Sequence, residues 1–253
     1  LAKTNPTIEM LRAVSLVGRG ENALSAGDAV KATEAFNKAI QTFQRATELA
    51  PNNYIAWTGL ADAQRGMYLR TREAAMLAGA EVSADKALAL LSTYMPALRV
   101  KKDLLLDRND LNGAVALMDG YLQSSPQADE ARRLLIGLLV RSGNPVRAIT
   151  VAEDGARQSP RNSEWPLTIG SIQQLNGKQD EAIASFDRAF ATEPDEGTLL
   201  RSVDARLQKT PSDWAGIANV LRANAKLVAG SPPLQGALAA SLVNTKQRDA
   251  GLQ

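Results

Sequence analysis

The chain has 253 residues, 45% of them hydrophobic, 22% charged and 4% aromatic, with a formal net charge of +2. It contains neither cysteine nor histidine. That composition excludes disulfides, thiolate or imidazole metal sites, and catalysis by a cysteine nucleophile or a histidine base. Charges of both signs are interspersed and aromatics are scarce, so no nucleic-acid-binding footprint is expected. No apolar run approaches the length of a membrane span; "LLIGLLV" at Leu134–Val140 is a typical short one. The chain opens at Leu1 with no initiator methionine and no charged-then-apolar leader, which reads as an excised or processed segment. The lack of cysteine suits cytoplasm and periplasm equally.

In chain order, the first feature is "AVSLVGRGENA", Ala13–Ala23, which mimics a strand followed by a dinucleotide-binding G-x-G-x-x-A turn. That fold requires a helix and then a second parallel strand. No β-branched run follows, so the segment is expected to be helical.

The next stretch, "GDAVKATEAFNKAIQTFQRATELAPNN", Gly27–Asn53, repeats one pattern twice. Ala32, Phe36 and Ala39 are spaced four and three apart, and Ala39, Phe43 and Ala46 repeat that spacing seven residues on. Seven residues is nearly two helical turns, with a drift of only about 20°. The spacing predicts one helix over about Asp28–Leu49 that buries the same face in both registers. Trp57, Leu60 and Ala61 open the following unit, whose second helix is predicted over about Thr71–Tyr94 with a break near Gly79. Pro96 to Pro126 spans 30 residues, which predicts a shortened helix around Ala97–Asp107 and a partner carrying Ala114, Met118 and Tyr121.

Pro126, Pro160 and Pro194 are then each 34 residues apart. Across one period Leu135 aligns with Ile169, Leu139 with Gln173, Gly143 with Gly177, Ala148 with Ala182, Ala152 with Phe186 and Gly155 with Ala189. Apolar residues recur at helical spacing in both halves of each block, so neither helix buries its face alone. Gly143 and Gly177 stand where the chain turns between helices. Asn144-Pro145, Thr210-Pro211 and Ser231-Pro232 read as an N-cap followed by proline in the first turn. Helices are expected over Thr198–Gln208 and about Ser212–Val228, the latter carrying Trp214, Ile217, Val220 and Leu221. "PPLQGALAASLVNTKQRDAGLQ" supplies one more helix and stops where its partner would begin, so the natural protein is expected to continue.

The 34-residue block with Gly170, Gly177, Ala182, Phe186, Ala189 and Pro194 resembles the tetratricopeptide repeat (TPR), a helix–turn–helix unit. The resemblance implies an all-α, right-handed superhelix, an α-solenoid of about six helix pairs plus a terminal helix, two of the units having extended second helices. It implies a single solenoid over 1–253, with irregular units over 1–96, regular repeats over 97–194 and degenerate ones over 195–253. In the repeat register Gly20 falls at the small-residue position equivalent to Gly170. "NGKQ" at Asn176–Gln179 is the inter-helix turn rather than a phosphate loop, since Ile172 stands where that loop needs a glycine. The stretch Ala35–Gln64, with "TGLADA" at Thr58–Ala63, is similar to arrays in bacterial multidomain signalling proteins. There such arrays follow a winged-helix, cyclase or kinase domain.

Such a solenoid binds partners on its concave face, lined by the first helix of each unit. In that register Arg99, Arg133 and Arg201 are equivalent, with Arg141 and Lys209 two turns further on. Asp62, Asp103 and Asp107 place carboxylates on the same surface, and Thr168 and Ser171 complete the candidate partner-binding set. The row fits recognition of an extended or helical peptide through its carboxylates; an ordinary solvated helix face is the competing explanation. The carboxylate clamp of chaperone-binding TPRs, a basic residue with asparagine four later, does not occur. Gly137, Asp103 and Ala205 follow Arg133, Arg99 and Arg201 at that spacing. Trp57 is expected in the core, as are Met67, Met76 and Met95. The function expected is a non-enzymatic scaffold or adaptor for a protein or peptide, with no cofactor, metal, nucleic acid or membrane insertion. The uncapped terminal helix makes end-to-end self-association a further expectation. The alternatives are a regulatory module of a larger bacterial signalling protein, or an envelope lipoprotein scaffold of an exopolysaccharide or secretion system.

Overall fold

The computed structural model describes residues 6–245. All regular elements among them are helices, and the chain divides into two compact units, Leu1–Ser124 and Ser125–Gln253.

The first unit contains α1 (Pro6–Ser25), α2 (Ala29–Leu49), α3 (Tyr54–Thr71), α4 (Ala74–Leu90), α5 (Met95–Asp107) and α6 (Leu111–Ser124), and consecutive helices pack as pairs. "AVSLVGRGENA" lies wholly within α1, which removes the strand that a dinucleotide fold needs. Gly27 ends that helix's turn at φ +73°, a left-handed conformation open to glycine. Asp28 then caps α2 by accepting a hydrogen bond from the Lys31 amide at 3.1 Å. Both registers of the doubled pattern are buried, Ala32, Phe36, Ala39, Phe43 and Ala46 each being at most 1% exposed.

Neighbouring glycines show how the two registers pack. A Cβ on Gly66 would lie 2.4 Å from the Phe36 ring, and one on Gly59 would lie 2.3 Å from the Phe43 ring. Gly59 and Gly66 of α3 are seven residues apart, like Phe36 and Phe43 of α2, so the antiparallel helices interlock twice. Gly20 of α1 meets the Phe36 ring too, where a Cβ would approach to 2.9 Å. It is thus a helix-contact glycine, as the repeat register implied.

The structure corrects two expectations here. The fourth helix runs from Ala74 to Leu90 and does not break at Gly79. A Cβ there would meet the Gln64 amide at 2.7 Å, so this glycine makes room for Gln64, which in turn accepts from the Ser83 hydroxyl at 2.9 Å. Part of the unit's extra length resides in α3, 18 residues ending at the left-handed Arg72. Among the second helices, α2 at 21 residues and α4 at 17 both exceed the 14-residue α6, so two units have extended second helices. Nor is α5 shortened: it has 13 residues, as many as the seventh helix, Asp129–Arg141. Pro96 sits in its first turn, whereas Pro126 precedes the next helix by three residues. The 30-residue interval therefore reflects where the proline lies.

The second unit holds α7 (Asp129–Arg141), α8 (Pro145–Gln158), α9 (Glu164–Leu175), α10 (Gln179–Thr192), α11 (Glu196–Gln208), α12 (Trp214–Ala223), α13 (Ala225–Ala229) and α14 (Pro232–Asn244). Gly143 and Gly177 turn the chain at φ +72° and +73°. Asn144 and Ser231 cap α8 and α14, as their X-Pro signals predicted. Thr210-Pro211 does not: Asp213 caps α12 instead, accepting from the Gly216 amide at 2.9 Å. The helix expected over 212–228 is interrupted at Asn224, whose side-chain amide donates to the Val220 carbonyl at 2.8 Å. The pairs α7–α8, α9–α10 and α11–α12 form in order, and α14 packs on α12 and α13. The end of the chain, where a partner for α14 was expected to begin, lies outside the described residues.

A buried polar wedge stands between repeats of this unit. Trp165 is 0% exposed and Arg132 1%, with the guanidinium 5.4 Å from the indole ring. Arg132 donates to Asp129 at 2.6 Å and to the Pro126 carbonyl at 2.5 Å. Gly155 closes the site, since a Cβ there would lie 2.7 Å from both Trp165 and Arg132. Trp57, by contrast, is only half-buried; its N–H donates to the Pro51 carbonyl at 2.8 Å and the Lys86 ammonium lies 4.2 Å over its ring. Met67 is core, while Met76 and Met95 are half-buried.

Candidate functional site

Within the second unit, α9, α11 and the loops before them enclose a cleft of about 540 Å³. Glu164, Thr168, Ser171 and Leu175 lie along one face of α9, at helical positions i, i+4, i+7 and i+11. Leu167 and Ile172 add apolar wall, Arg201 enters from α11, and Ser163 and Glu193 line the cleft with them. Leu175 is 78% exposed, a large apolar side chain at the cleft wall. Ser171 is exposed and donates to the Leu167 carbonyl at 2.9 Å, leaving its oxygen as an acceptor toward the cleft. Arg201 is exposed and makes no ion pair among the described residues. The cleft thus combines a guanidinium without an ion pair, the hydroxyls of Ser163, Thr168 and Ser171, the Glu193 carboxylate that accepts from Ser163, and an apolar wall.

Three of the residues expected from sequence, Thr168, Ser171 and Arg201, meet in this cleft. Arg133 reaches it indirectly. It is gripped in a bidentate pair by Glu164, with one guanidinium nitrogen 2.8 Å from a carboxylate oxygen, linking α7 to α9. The hydrogen bonds hold the Glu164 carboxyl below its usual range and raise the Arg133 guanidinium further. Arg133 is therefore already neutralised. Arg141 is exposed at the end of α7 and does not line the cleft. Lys209 also lies outside it, its ammonium 2.5 Å from Asp180. Sequence reasoning missed Glu164, Glu193 and Leu175. Leu175 was discoverable, because it continues the Thr168–Ser171 face by one turn.

Arg99 and Asp103 belong to the first unit, on α5. Arg99 is exposed, and Asp103 lies 3.6 Å from Arg65 and 2.7 Å from Lys102. Arg65 also pairs with Asp107 at 2.7 Å. Asp62, one turn before Arg65, is pushed up to about 6 by burial, with Glu21 and Asp103 adding repulsion against the pull of Arg65. A carboxyl whose folded value exceeds its unfolded 3.8 favours the fold at low pH and costs stability as pH rises through about 4 to 6. Asp62→Asn is therefore expected to raise unfolding free energy at pH 7 by about 1–2 kcal/mol and to flatten its slope over that window. Urea titrations at pH 4.5 and 7 would show it; an unchanged slope would contradict it.

Compared with known proteins, residues 105–167 match the tetratricopeptide repeat family. No curated protein matches the chain. Solved structures similar to it include a tetratricopeptide repeat protein from Parabacteroides merdae, 17% identical over 95% of this chain and 90% of that one, with TM-score 0.49. MamA from Desulfovibrio magneticus is 14% identical over 72% of this chain and 96% of its own, at TM-score 0.47. YrrB, described as a TPR protein with an unusual peptide-binding site, is 16% identical over 75% and 91%, at TM-score 0.46. No helix among the described residues is long and apolar enough to cross a membrane. With residues 105–167 matched in family and helix pairs continuing the same helix–turn–helix plan on either side, the chain carries tetratricopeptide repeats.

Proposed function

We propose that the protein is an interaction scaffold that holds a segment of a partner protein in the cleft between α9 and α11. Arg201 pairs with a partner carboxylate, Leu175 and Leu167 receive an apolar side chain, and Thr168 and Ser171 accept backbone or side-chain donors. The observation that carries this reading is Arg201, which lines the cleft with no ion pair among the described residues beside the 78%-exposed Leu175. Apolar surface rimmed by polar groups marks interaction sites, and arginine is enriched in interfaces. Arg133 and Lys209, paired with Glu164 and Asp180, are not among the contacts assigned to the partner.

A charge-assisted hydrogen bond is worth about 1.5–3 kcal/mol, roughly one to two orders of magnitude in affinity. Arg201→Glu is accordingly expected to weaken partner capture by about tenfold or more, while Arg141→Glu leaves it unchanged. Quantitative pull-down with the wild type and both variants checks this; equal loss in both variants, or in neither, would sink the assignment.

A further inference from the structure

The α9–α11 cleft does not end at Glu193. A second depression of about 530 Å³, lined by Ser159, Pro160 and Arg161, shares Asn162 and Glu193 with it, so the surface continues past the start of α9 as one channel. A channel that runs on beyond its charged groups suits an internal stretch of a partner chain rather than a chain terminus. Its carboxylates differ in how far they are already satisfied. Glu164 is taken by Arg133. Arg201 and Glu193 are both exposed, and neither makes an ion pair among the described residues. Glu193 accepts only from the Ser163 hydroxyl, at 2.5 Å. An anion alone would be drawn to Arg201 and repelled by Glu193, whereas a chain carrying both signs complements the two.

The helix geometry sets the spacing. Arg201 follows Leu167 by one 34-residue period, and both line the cleft. From Leu167 to Leu175 is about 12 Å along the helix axis, or about four residues of extended chain. From Leu167 back to Ser163, which holds Glu193, is about 6 Å, or about two extended residues. Offsets of four and two are both even, so the three matching side chains fall on one side of an extended chain, whose faces alternate residue by residue. Spread along the roughly 18 Å that α9 spans, the 540 Å³ of the cleft leaves a section of about 30 Å², well under that of a helix about 10–12 Å across.

Taking this cleft as the partner site, we infer that it holds an internal, extended segment with a fixed order of side chains. An apolar residue meets Leu175, a carboxylate four residues along meets Arg201, and a Lys or Arg two further along meets Glu193. The acid alone serves the Arg201 contact; the base adjacent to it sets which acidic segments are accepted.

The test uses the full chain and labelled ten-residue peptides, blocked at both ends, with leucine, glutamate and lysine at the first, fifth and seventh positions among serines. The pattern is made in both chain directions. One control exchanges glutamate and lysine, and another carries glutamate at both places. Fluorescence anisotropy should show saturable binding of the leucine–glutamate–lysine pattern in at least one direction, with both controls about tenfold or more weaker. Arg201→Glu/Glu193→Lys should reverse the preference toward the exchanged peptide, while Arg141→Glu should leave it intact. Both swapped positions are exposed, so far-ultraviolet circular dichroism of the variant should match the wild type. No binding in either direction, equal binding of the exchanged peptide, or no reversal in the charge-swapped variant would overturn the proposal. Equal binding of the two-glutamate peptide, lost on Arg201→Glu, would overturn the charge order and leave the cleft as the partner site. Binding that Arg201→Glu does not weaken would overturn both.

Discussion

Trp165→Ala is expected to lower the unfolding free energy by about 3–5 kcal/mol, the range for removing a fully buried aromatic side chain. The indole is 0% exposed and fills the space left by the absent side chain of Gly155. It also covers the Arg132 guanidinium, so its removal hydrates or strands a buried charge in addition to opening a cavity. Trp57→Ala, at a half-buried site, should cost clearly less. Urea unfolding of the two variants separates them; equal losses would show that Trp165 is not the packing centre of its repeats.

Gly59→Ala and Gly66→Ala should each cost about 1–3 kcal/mol, although alanine is favoured over glycine in a helix by up to about 1 kcal/mol. The new methyl groups would sit 2.3 and 2.4 Å from the Phe43 and Phe36 rings. Those rings are each 1% exposed and have nowhere to move; Phe36 is also bounded by Gly20 on its other side. Gly137→Ala provides the internal contrast, because a Cβ there meets nothing within 4 Å. It should stabilise by roughly 0.5–1 kcal/mol. Phe36→Leu combined with Gly66→Ala should recover part of the loss, since contacting residues couple in a double-mutant cycle. Additive effects would mean that the ring and the glycine do not touch.

Periodicity made most of the helix plan legible. The doubled pattern on α2 was readable because a heptad returns side chains to nearly the same face, so both copies had to be buried. The matching glycines were harder to see. Gly59 and Gly66 carry no side chain, and only the partner helix shows why two small residues are needed at that spacing. Proline served well as a ruler where it precedes a helix, at Pro126, Pro160 and Pro194. It failed at Pro96, because a first-turn position tolerates proline equally well.

The site was legible in part, for a geometric reason. Equivalent positions placed Arg99, Arg133 and Arg201 in one row interrupted by Leu167, yet ion pairs between repeats join positions that are offset. Arg133 and Glu164 are 31 residues apart, about one turn less than the period, so aligning by 34 concealed the pair that neutralises Arg133. Trp57 and Trp165 show the same limit. The repeat motif placed Trp57 in the core, but the deeper burial belongs to Trp165, wedged against Arg132 through a glycine that looked interchangeable with Ala189.

Occupancy of the α9–α11 cleft is tested most directly by site-specific photo-cross-linking from the position of Leu175, with the exposed Val146 of α8 as the control. A photoreactive side chain at 175 should yield a discrete cross-linked polypeptide that disappears when Arg201→Glu is added, and one at 146 should yield none. Cross-linking that is equal from both positions, or that persists with Arg201→Glu, would contradict a scaffold that holds its partner in this cleft.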